Sequence, residues 1–329
     1  MIGSRAAPSD LSRGDSSRGD SSPGDQPSGD SRVTMRAGGL LFVDKPAGMT
    51  SHDVVSVVRR AARTRRVGHA GTLDPFATGL LVVAVGACTR LLPYIAAEPK
   101  VYEADVQFGA ETDTDDTTGA VRREARLPDL DGLPEALAAQ TGSFAQVPPA
   151  FSAKHIDGQR AYDLARRGGD VVLPPVTVTV HRWDVLEQQP DRVRVRVTCA
   201  GGTYVRALAR DLGRALNSAA HCATLRRIAS GTAHVHDAVS LQELTPGAIA
   251  EGRIPLRGAL GQLADMAHES LDPAGVLALE HGRTIVATQP GSRAALLRDG
   301  AVMGIGERVM DPVGGDRWQP RVVLTASES

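Results

Sequence analysis

Hydrophobic and polar positions along this chain recur in distinct patterns, and each predicts a different kind of element. Residues 40–43 and 80–85 are short apolar runs without alternation, and both read as strands. Between them Pro46 and Gly48 mark a turn, and Thr50, followed three residues later by Asp53, has the form of a capping box. Val54, Val57, Val58, Ala61 and Ala62 then recur at helical spacing, which predicts a helix over residues 51–63. Its other side carries Arg59, Arg60 and Arg63, continued by Arg65 and Arg66, and reads either as a solvated face or as a phosphate-contacting edge. Residues 68–79 hold three glycines and one proline with little periodicity and predict a loop.

Strict alternation follows. Over residues 101–108, Tyr102, Ala104, Val106 and Phe108 share one side and Glu103, Asp105 and Gln107 the other, so Tyr102 points inward. Residues 192–199 set Val193, Val195, Val197 and Cys199 against Arg192, Arg194 and Arg196, and Gly201-Gly202 ends that strand. Val205, Leu208, Ala209, Leu212 and Leu216 then form the buried stripe of a helix whose other face carries Arg206, Arg210 and Arg214 at four-residue steps. Amphipathic strands alternating irregularly with helices predict an α+β fold on a mixed, mainly antiparallel sheet, and disfavour the doubly wound nucleotide-binding class. Beyond residue 240 apolar density falls. Residues 277–279, 295–297, 302–305 and 322–324 give short strand-like runs between glycine and proline turns, a small mostly-β module near the lower size limit for an independent core.

The length of 329 residues suggests roughly two packed units. Residues 1–37 hold five arginines, with Asp10, Asp15, Asp20, Asp25 and Asp30 recurring among Ser, Gly and Pro. Such a tract cannot bury enough apolar area to offset its chain entropy, so a disordered tail is expected, and its two Arg-Gly-Asp tripeptides are read as products of the repeat. The expected organisation is that tail, a main domain over residues 38–262 and a small β-rich domain over residues 263–329. There is no run of about 20 apolar residues and no apolar signal-peptide core, so a cytoplasmic protein without a membrane partner is expected. Cys88, Cys199 and Cys222 are too few and too scattered for a disulfide framework or a zinc site, and are expected in the core.

A formal net charge of −1 argues against a plainly basic nucleic-acid binder. Along the chain, however, the charge is segregated: +4 over residues 44–100, −7 over 101–150, +5 over 151–240 and −3 over 241–329. Only Lys45, Lys100 and Lys154 are lysines, so the positive charge is nearly all arginine, whose planar fork suits phosphate contacts and salt bridges alike.

The candidate chemistry centres on Asp74. Pro75 biases its backbone toward an extended conformation, which leaves two readings open: an Asx turn, or a carboxylate held on a stiffened loop as nucleophile or proton acceptor. His234 and His236 have no third ligand nearby, so no metal is expected. Asp113-Thr114-Asp115-Asp116-Thr117 has the beginnings of an EF-hand, but Thr118 stands where that loop needs glycine. For an aspartyl-phosphate site a strand should run into the first aspartate, and Gly109-Ala110-Glu111 is read as breaking it. There is no Walker loop, and Gly304-x-Gly306 lacks the third glycine of a dinucleotide fingerprint, so no cofactor is implied.

These residues carry a resemblance. Val43-Asp44-Lys45-Pro46-Ala47-Gly48-Met49-Thr50-Ser51, the segment 68–81, Phe108-Gly109 with Thr112-Asp113-Thr114, Asp116 and Gly119, and Gly202-Thr203-Tyr204-Val205-Arg206 match in order the motifs of the TruB family of tRNA pseudouridine-55 synthases. Val147-Pro148-Pro149-Ala150-Phe151-Ser152-Ala153 and Leu225-Arg226-Arg227 fit two further family segments, and the resemblance spans residues 39–231 and is expected to continue to residue 329. It implies a pseudouridine-synthase-type catalytic domain with a PUA-like C-terminal domain, and an isomerase that flips one T-loop uridine of tRNA and converts it to pseudouridine. Neither a cofactor, a protein partner nor a guide RNA is expected. By the same resemblance Asp74 is the catalytic aspartate, Tyr102 stacks on the target base, and Arg206 pairs with the carboxylate. His69 helps hold the T-loop open, and Lys45, Tyr204, Leu225, Arg90 and Lys154 are pocket or RNA contacts. The family usually places an apolar residue and then lysine after Ser152-Ala153, where this chain has Lys154-His155. The rival readings are a tRNA-binding protein without turnover and the guide-RNA-dependent branch of the family.

With this resemblance, the two basic segments are expected to form an arginine-rich groove that selects the folded T-loop largely by shape. The tail is expected to be passive. Deletion of residues 1–37 should leave the rate of pseudouridine formation on a tRNA transcript within a small factor of the full chain.

Overall fold

The computed structural model describes residues 38–95, 98–151, 155–156, 159–160, 173–311 and 314–324. The expected tail and Lys154 lie outside them. In chain order the main elements are β1 (Gly38–Lys45), α1 (Ser51–Ala62), β2 (Val67–Ala70), β3 (Thr78–Gly86), β4 (Lys100–Phe108), α2 (Leu133–Ala139), β5 (Gly142–Gln146), β6 (Val176–Gln189), β7 (Arg192–Cys199), α3 (Val205–Ala215) and β8 (Ala220–Ser230). The central sheet runs in the order Val239–Ser240, β1, β3, β8, β4, β7, β6, β5, with β2 on β3. Two pairings on this path, β1 with Val239–Ser240 and β8 with β3, are parallel and the rest antiparallel, as the irregular alternation of elements predicts.

Where each strand sits explains its pattern. In β4 and β7 one face packs on α2 and α3 while the other is polar, hence the strict alternation. β1 and β3 are covered on both faces. Leu41, Val43, Leu81 and Val83 pack against Val54, Val55, Val58 and Ala61 of α1. On the reverse face Leu40, Phe42, Leu80, Val82 and Ala84 pack against Leu91 of the 3-10 helix Ala87–Tyr94 and against Ala295, Leu297, Ile305 and Val322 of the C-terminal module. Uninterrupted apolar runs are what two buried faces require.

The helix predicted at 51–63 is α1, started by the expected capping box. Thr50 Oγ1 accepts from Asp53 N at 3.1 Å, and Thr50 N donates to Asp53 Oδ2 at 2.9 Å. The segment 68–79 is not all loop, because β2 pairs with β3 from Val67↔Val85 to Ala70↔Val82. Four residues that include a glycine give no periodic signal of a pairing fixed by a distant strand. Similarly, residues 110–112 do not simply break the chain: Gly109 turns at φ 100° and Ala110–Thr112 forms a short hairpin with Val121–Glu124. Cys88, Cys199 and Cys222 are buried free thiols, as expected.

The C-terminal module holds a five-stranded sheet in the order Ala267–Ser270, Arg293–Arg298, Ala301–Met310, Asp316–Val323, Ile285–Val286. The apolar run 277–279, expected as a strand, belongs instead to the helix Pro273–Glu280. Asp272 caps it by accepting from Gly275 N at 2.7 Å, and Pro273 opens its first turn, a start signal that outweighs the short apolar run. Inside the module Glu269, 3% exposed, accepts from Trp318 Nε1 at 2.7 Å, Thr288 Oγ1 at 2.6 Å and the backbone nitrogens of Thr288 and Gln289 at 2.7 and 3.1 Å. Burial pushes this carboxyl's pKa up, but the hydrogen bonds from Thr288 and Trp318 outweigh it and hold it below the ordinary value. A depressed folded pKa contributes stability that is present at neutral pH and lost as pH falls through that pKa. Glu269→Gln should therefore cost roughly 1–3 kcal/mol at neutral pH, with the gap to wild type closing in acid, as read by thermal denaturation at both.

Candidate active site

The loop that carries Asp74 is pinned on both sides of that residue. Before it, Leu73 N donates to Ser51 Oγ at 2.9 Å and Ser51 Oγ donates to Leu73 O at 3.1 Å. After it, Pro75 O accepts from Gly48 N at 2.8 Å and from Lys45 Nζ at 3.3 Å. Lys45 Nζ also donates to Pro46 O at 2.9 Å and Met49 O at 2.6 Å, so the end of β1 and the turn into α1 clamp the Asp74 loop from beneath. Of the two readings, pocket or RNA contact, the geometry of Lys45 fits the first: it is 0% exposed, with its ammonium enclosed by carbonyls beneath the Asp74 loop. Burial lowers its pKa to about 8, opposed by the nearby Asp74.

Asp74 does not cap its own turn through its side chain. Ala77 N donates to the Asp74 carbonyl at 3.1 Å, and Oδ2 of the carboxylate lies 2.9 Å from Arg206 Nε. The Asp74 side chain is 38% exposed and that of Arg206 4%, so the cation is buried and the carboxylate reaches outward. The rest of the guanidinium is also engaged. Nη1 donates to Thr114 O at 2.5 Å and lies 3.4 Å from Asp116 Oδ2, and Nη2 donates to Phe151 O at 3.0 Å. Asp116 is in turn fixed by donors from Thr114 Oγ1 (2.8 Å), Thr118 N (2.9 Å) and Thr118 Oγ1 (2.6 Å) to its Oδ1.

The sheet order brings Tyr102 to the same place. At the parallel junction Arg227 of β8 is level with Gly79 of β3 and with Tyr102 of β4. Gly79 has φ 98°, and a Cβ there would lie 2.3 Å from the Arg227 carbonyl oxygen, so only glycine lets these strands join directly after the Asp74 loop. Tyr102 is 7% exposed and points inward, as its alternation predicts. Burial raises its phenol pKa, opposed by the nearby Arg227. Arg227, 1% exposed, donates to Leu80 O at 2.7 Å and Gly71 O at 3.1 Å and so ties the Asp74 loop to Tyr102.

The other candidates separate. His69 on β2 is half-buried, its Nδ1 has no hydrogen-bond partner among the described residues, and burial followed by Arg227 and His52 holds its pKa below the ordinary value. It therefore favours the neutral imidazole. Leu225, 6% exposed, packs in the cluster that contains Leu73, Ala77 and Tyr102. Tyr204 starts α3, with its backbone nitrogen donating to Gln146 Oε1 at 2.9 Å and its carbonyl accepting from Gln146 Nε2 at 3.1 Å. Arg90 is not brought to the site. It follows the far end of β3, a strand about 26 Å long at ~3.3 Å per residue whose near end follows Asp74, and its Nη1 donates to Val323 O at 2.8 Å.

The arginine stripe of α3 differs most from expectation. Arg206 and Arg210 are 4% and 7% exposed, because the acidic segment after β4 packs on that face. Arg206 meets Asp116, Arg210 Nη1 lies 2.8 Å from Asp115 Oδ2, and Arg214 Nη2 lies 2.7 Å from Glu111 Oε2. Burial pushes Asp115 up to about 6 despite the opposing Arg210 and Arg206. On the sheet Arg194 and Arg196 share Glu103, and Arg226 pairs with Asp44. Much of the expected arginine-rich groove is thus neutralised within the chain. Asp116, Ser51, Gln146 and Arg227 are structural parts of the site that pattern alone does not single out, although Ser51, Asp116 and Arg227 fall in the family-like motifs.

The Asp74 loop thus presents a half-exposed carboxylate paired with a buried arginine, and the enclosed Tyr102 packs in the same cluster as Leu73 and Ala77 of that loop. The fold matches a crystal structure of a Cbf5-Nop10-Gar1 complex with a TM-score of 0.68 over 89% of this chain and 87% of that one, at 22% identity. Residues 59–205 match the TruB family pseudouridylate synthase N-terminal domain, and residues 206–257 the tRNA pseudouridylate synthase B C-terminal domain. A tRNA pseudouridine synthase B of Leifsonia xyli subsp. xyli is 42% identical over 285 residues, covering 82% of this chain and 93% of that protein. One of Parasynechococcus marenigrum is 41% identical over 296 residues, covering 88% and 98%. The chain belongs to the TruB family of pseudouridylate synthases and is an enzyme of that family.

Lys45→Met removes three donors from beneath the Asp74 loop. It should lower stability by about 2–4 kcal/mol and reduce turnover together with it. Because the folded pKa of Lys45 lies below its unfolded value, the unfolded chain binds more protons above pH about 8, and wild-type stability there rises with pH. The stability gap between wild type and Lys45→Met should therefore widen as denaturation is repeated at increasing pH above 8.

Proposed function

We propose that this enzyme isomerises uridine 55 in the T-loop of tRNA to pseudouridine, acting alone, without a cofactor, on a base flipped out of its stack. The glycosidic N1–C1′ bond breaks, the uracil turns, and a C5–C1′ bond forms. The proton lost from C5 is balanced by one gained at N1, so no co-reactant is consumed. The observation that carries this reading is the Asp74 carboxylate: one oxygen is held by a buried arginine, while the side chain remains 38% exposed to an incoming group.

Each residue has a definable part. Arg206 keeps Asp74 oriented and offsets its charge, so the carboxylate can act on the extruded nucleotide, whether at C6 of the base or at the sugar. Tyr102, with its pKa raised by burial, stays a neutral phenol and presents a ring face against which a flipped base can stack. Extrusion costs a few kcal/mol, and this platform, with Leu225 behind it, offsets part of that cost. A neutral His69 enters the opened loop through stacking and hydrogen bonding. Because many arginines near the site are paired with carboxylates, selectivity rests on the shape of the folded T-loop more than on general phosphate attraction. Stand-alone action is supported by the relatives above 40% identity, which are named for tRNA.

The test is purified protein with an unmodified tRNA transcript and pseudouridine mapped at single-nucleotide resolution. Wild type should modify position 55 with no added RNA, and Asp74→Asn should bind the transcript normally and form no pseudouridine. Turnover by Asp74→Asn, or activity only with an added guide RNA, would reject the mechanism or the stand-alone reading respectively.

A further inference from the structure

We infer that Asp115 and Arg210 are positioning residues for the reaction, a second ion pair that sets where Arg206 points and so where Asp74 is held. This inference rests on the function proposed above. Arg206 takes its remaining acceptors from two segments: the turn at 114–116, through Thr114 O and Asp116, and the loop at 147–151, through Phe151 O. Arg210, one helical turn further along α3, holds those same two segments. Its Nη1 lies 2.8 Å from Asp115 Oδ2, and its Nη2 donates to Val147 O at 2.9 Å. One arginine therefore binds the start of the 147–151 loop and the other its end, while consecutive aspartates of the turn meet arginines four residues apart.

That correspondence needs an unusual backbone. Consecutive side chains in an extended chain point to opposite sides, and Asp115 avoids this by adopting φ 59°, in the left-handed region. The conformation is held from both sides: Asp115 O accepts from Cys222 N at 3.0 Å, and Thr112 Oγ1 donates to Asp116 O at 2.6 Å. Asp115 and Arg210 are 6% and 7% exposed, so neither is free to contact tRNA. Their contribution acts through Arg206. The next pair along the helix, Arg214 with Glu111, is a natural contrast, because Arg214 is 54% exposed and touches neither the turn nor the loop that Arg206 uses.

The experiment compares the full chain with Arg210→Met, Arg210→Lys, Asp115→Asn and Arg214→Met. The readouts are single-turnover pseudouridine formation on an unmodified tRNA transcript, transcript Kd and Tm. Arg210→Met and Asp115→Asn should slow the single-turnover rate by about 10- to 100-fold, the scale of a small misplacement of reacting groups, with Kd changed by less than about twofold. Arg210→Lys should recover most of the rate, and Arg214→Met should keep it. The inference is overturned if folded Asp115→Asn retains the wild-type rate, or if Arg214→Met slows the reaction as much as Arg210→Met, since that would mean only general support of the helix. Should Arg210→Met fail to fold, Asp115→Asn and Arg210→Lys decide by the same criteria. A wild-type chain inactive on the transcript would instead overturn the proposed function itself.

Discussion

A guanidinium buried to 4% exposure must find acceptors for nearly all its N–H groups, and the organisation of this site follows from meeting that demand for Arg206. The acceptors come from three places distant in sequence: Asp74 in the loop before β3, Thr114 and Asp116 after β4, and Phe151 beyond β5. They can converge on the start of α3 only if β3 and β4 flank β8, as the sheet order has it. Of the two carboxylates among them, Asp74 keeps its side chain 38% exposed and Asp116 only 5%. The arginine is therefore a structural keystone whose satisfaction leaves a single oriented carboxylate facing outward.

The same constraint changes the meaning of the charge distribution. Segments of +4, −7 and +5 suggest basic surfaces separated by an acidic one, yet the acidic segment folds onto the basic helix, and Glu111, Asp115 and Asp116 neutralise its arginines in register. Net charge by segment measures composition, not what solvent sees. A stripe of arginines at four-residue steps has one appearance in sequence whether it faces water, phosphate or carboxylates, and only the packing partner decides. Since many of these arginines are internally paired, the near-neutral total of −1 fits the proposed recognition of a folded loop by shape.

Features whose cause is local were legible in the sequence. The alternation in β4 and β7, the capping box of α1 and the inward direction of Tyr102 each depend on neighbours within a few residues. Asp74 and Arg206 were singled out as partners by family-like motifs, since no spacing rule relates positions so far apart. What escaped is non-local. That Lys45 is wholly enclosed has no local signal, because its three acceptors lie in turns that fold over it, and β2 has none because its partner supplies the regularity. Arg210 was placed on a polar face correctly, but the sequence does not say that the face is covered by a turn at a left-handed aspartate.

The apolar runs of β1 and β3 carry a further consequence for the C-terminal module. A strand apolar at every position must be covered on both sides, and α1 covers only one. The reverse face, with Leu40, Phe42, Leu80, Val82 and Ala84, is closed by the Ala87–Tyr94 helix together with Ala295, Leu297, Ile305 and Val322 of the module. Each large side chain so buried contributes about 1.5–3 kcal/mol. Arg90 reinforces the junction through Val323 O, and Arg293 lies over the Tyr94 ring at 5.7 Å. A module too small to be secure alone thus shares its core with the strand whose first residues follow the Asp74 loop. Its net charge of −3 would suit it poorly to gripping phosphates, but charge does not limit its service as the second wall of that strand.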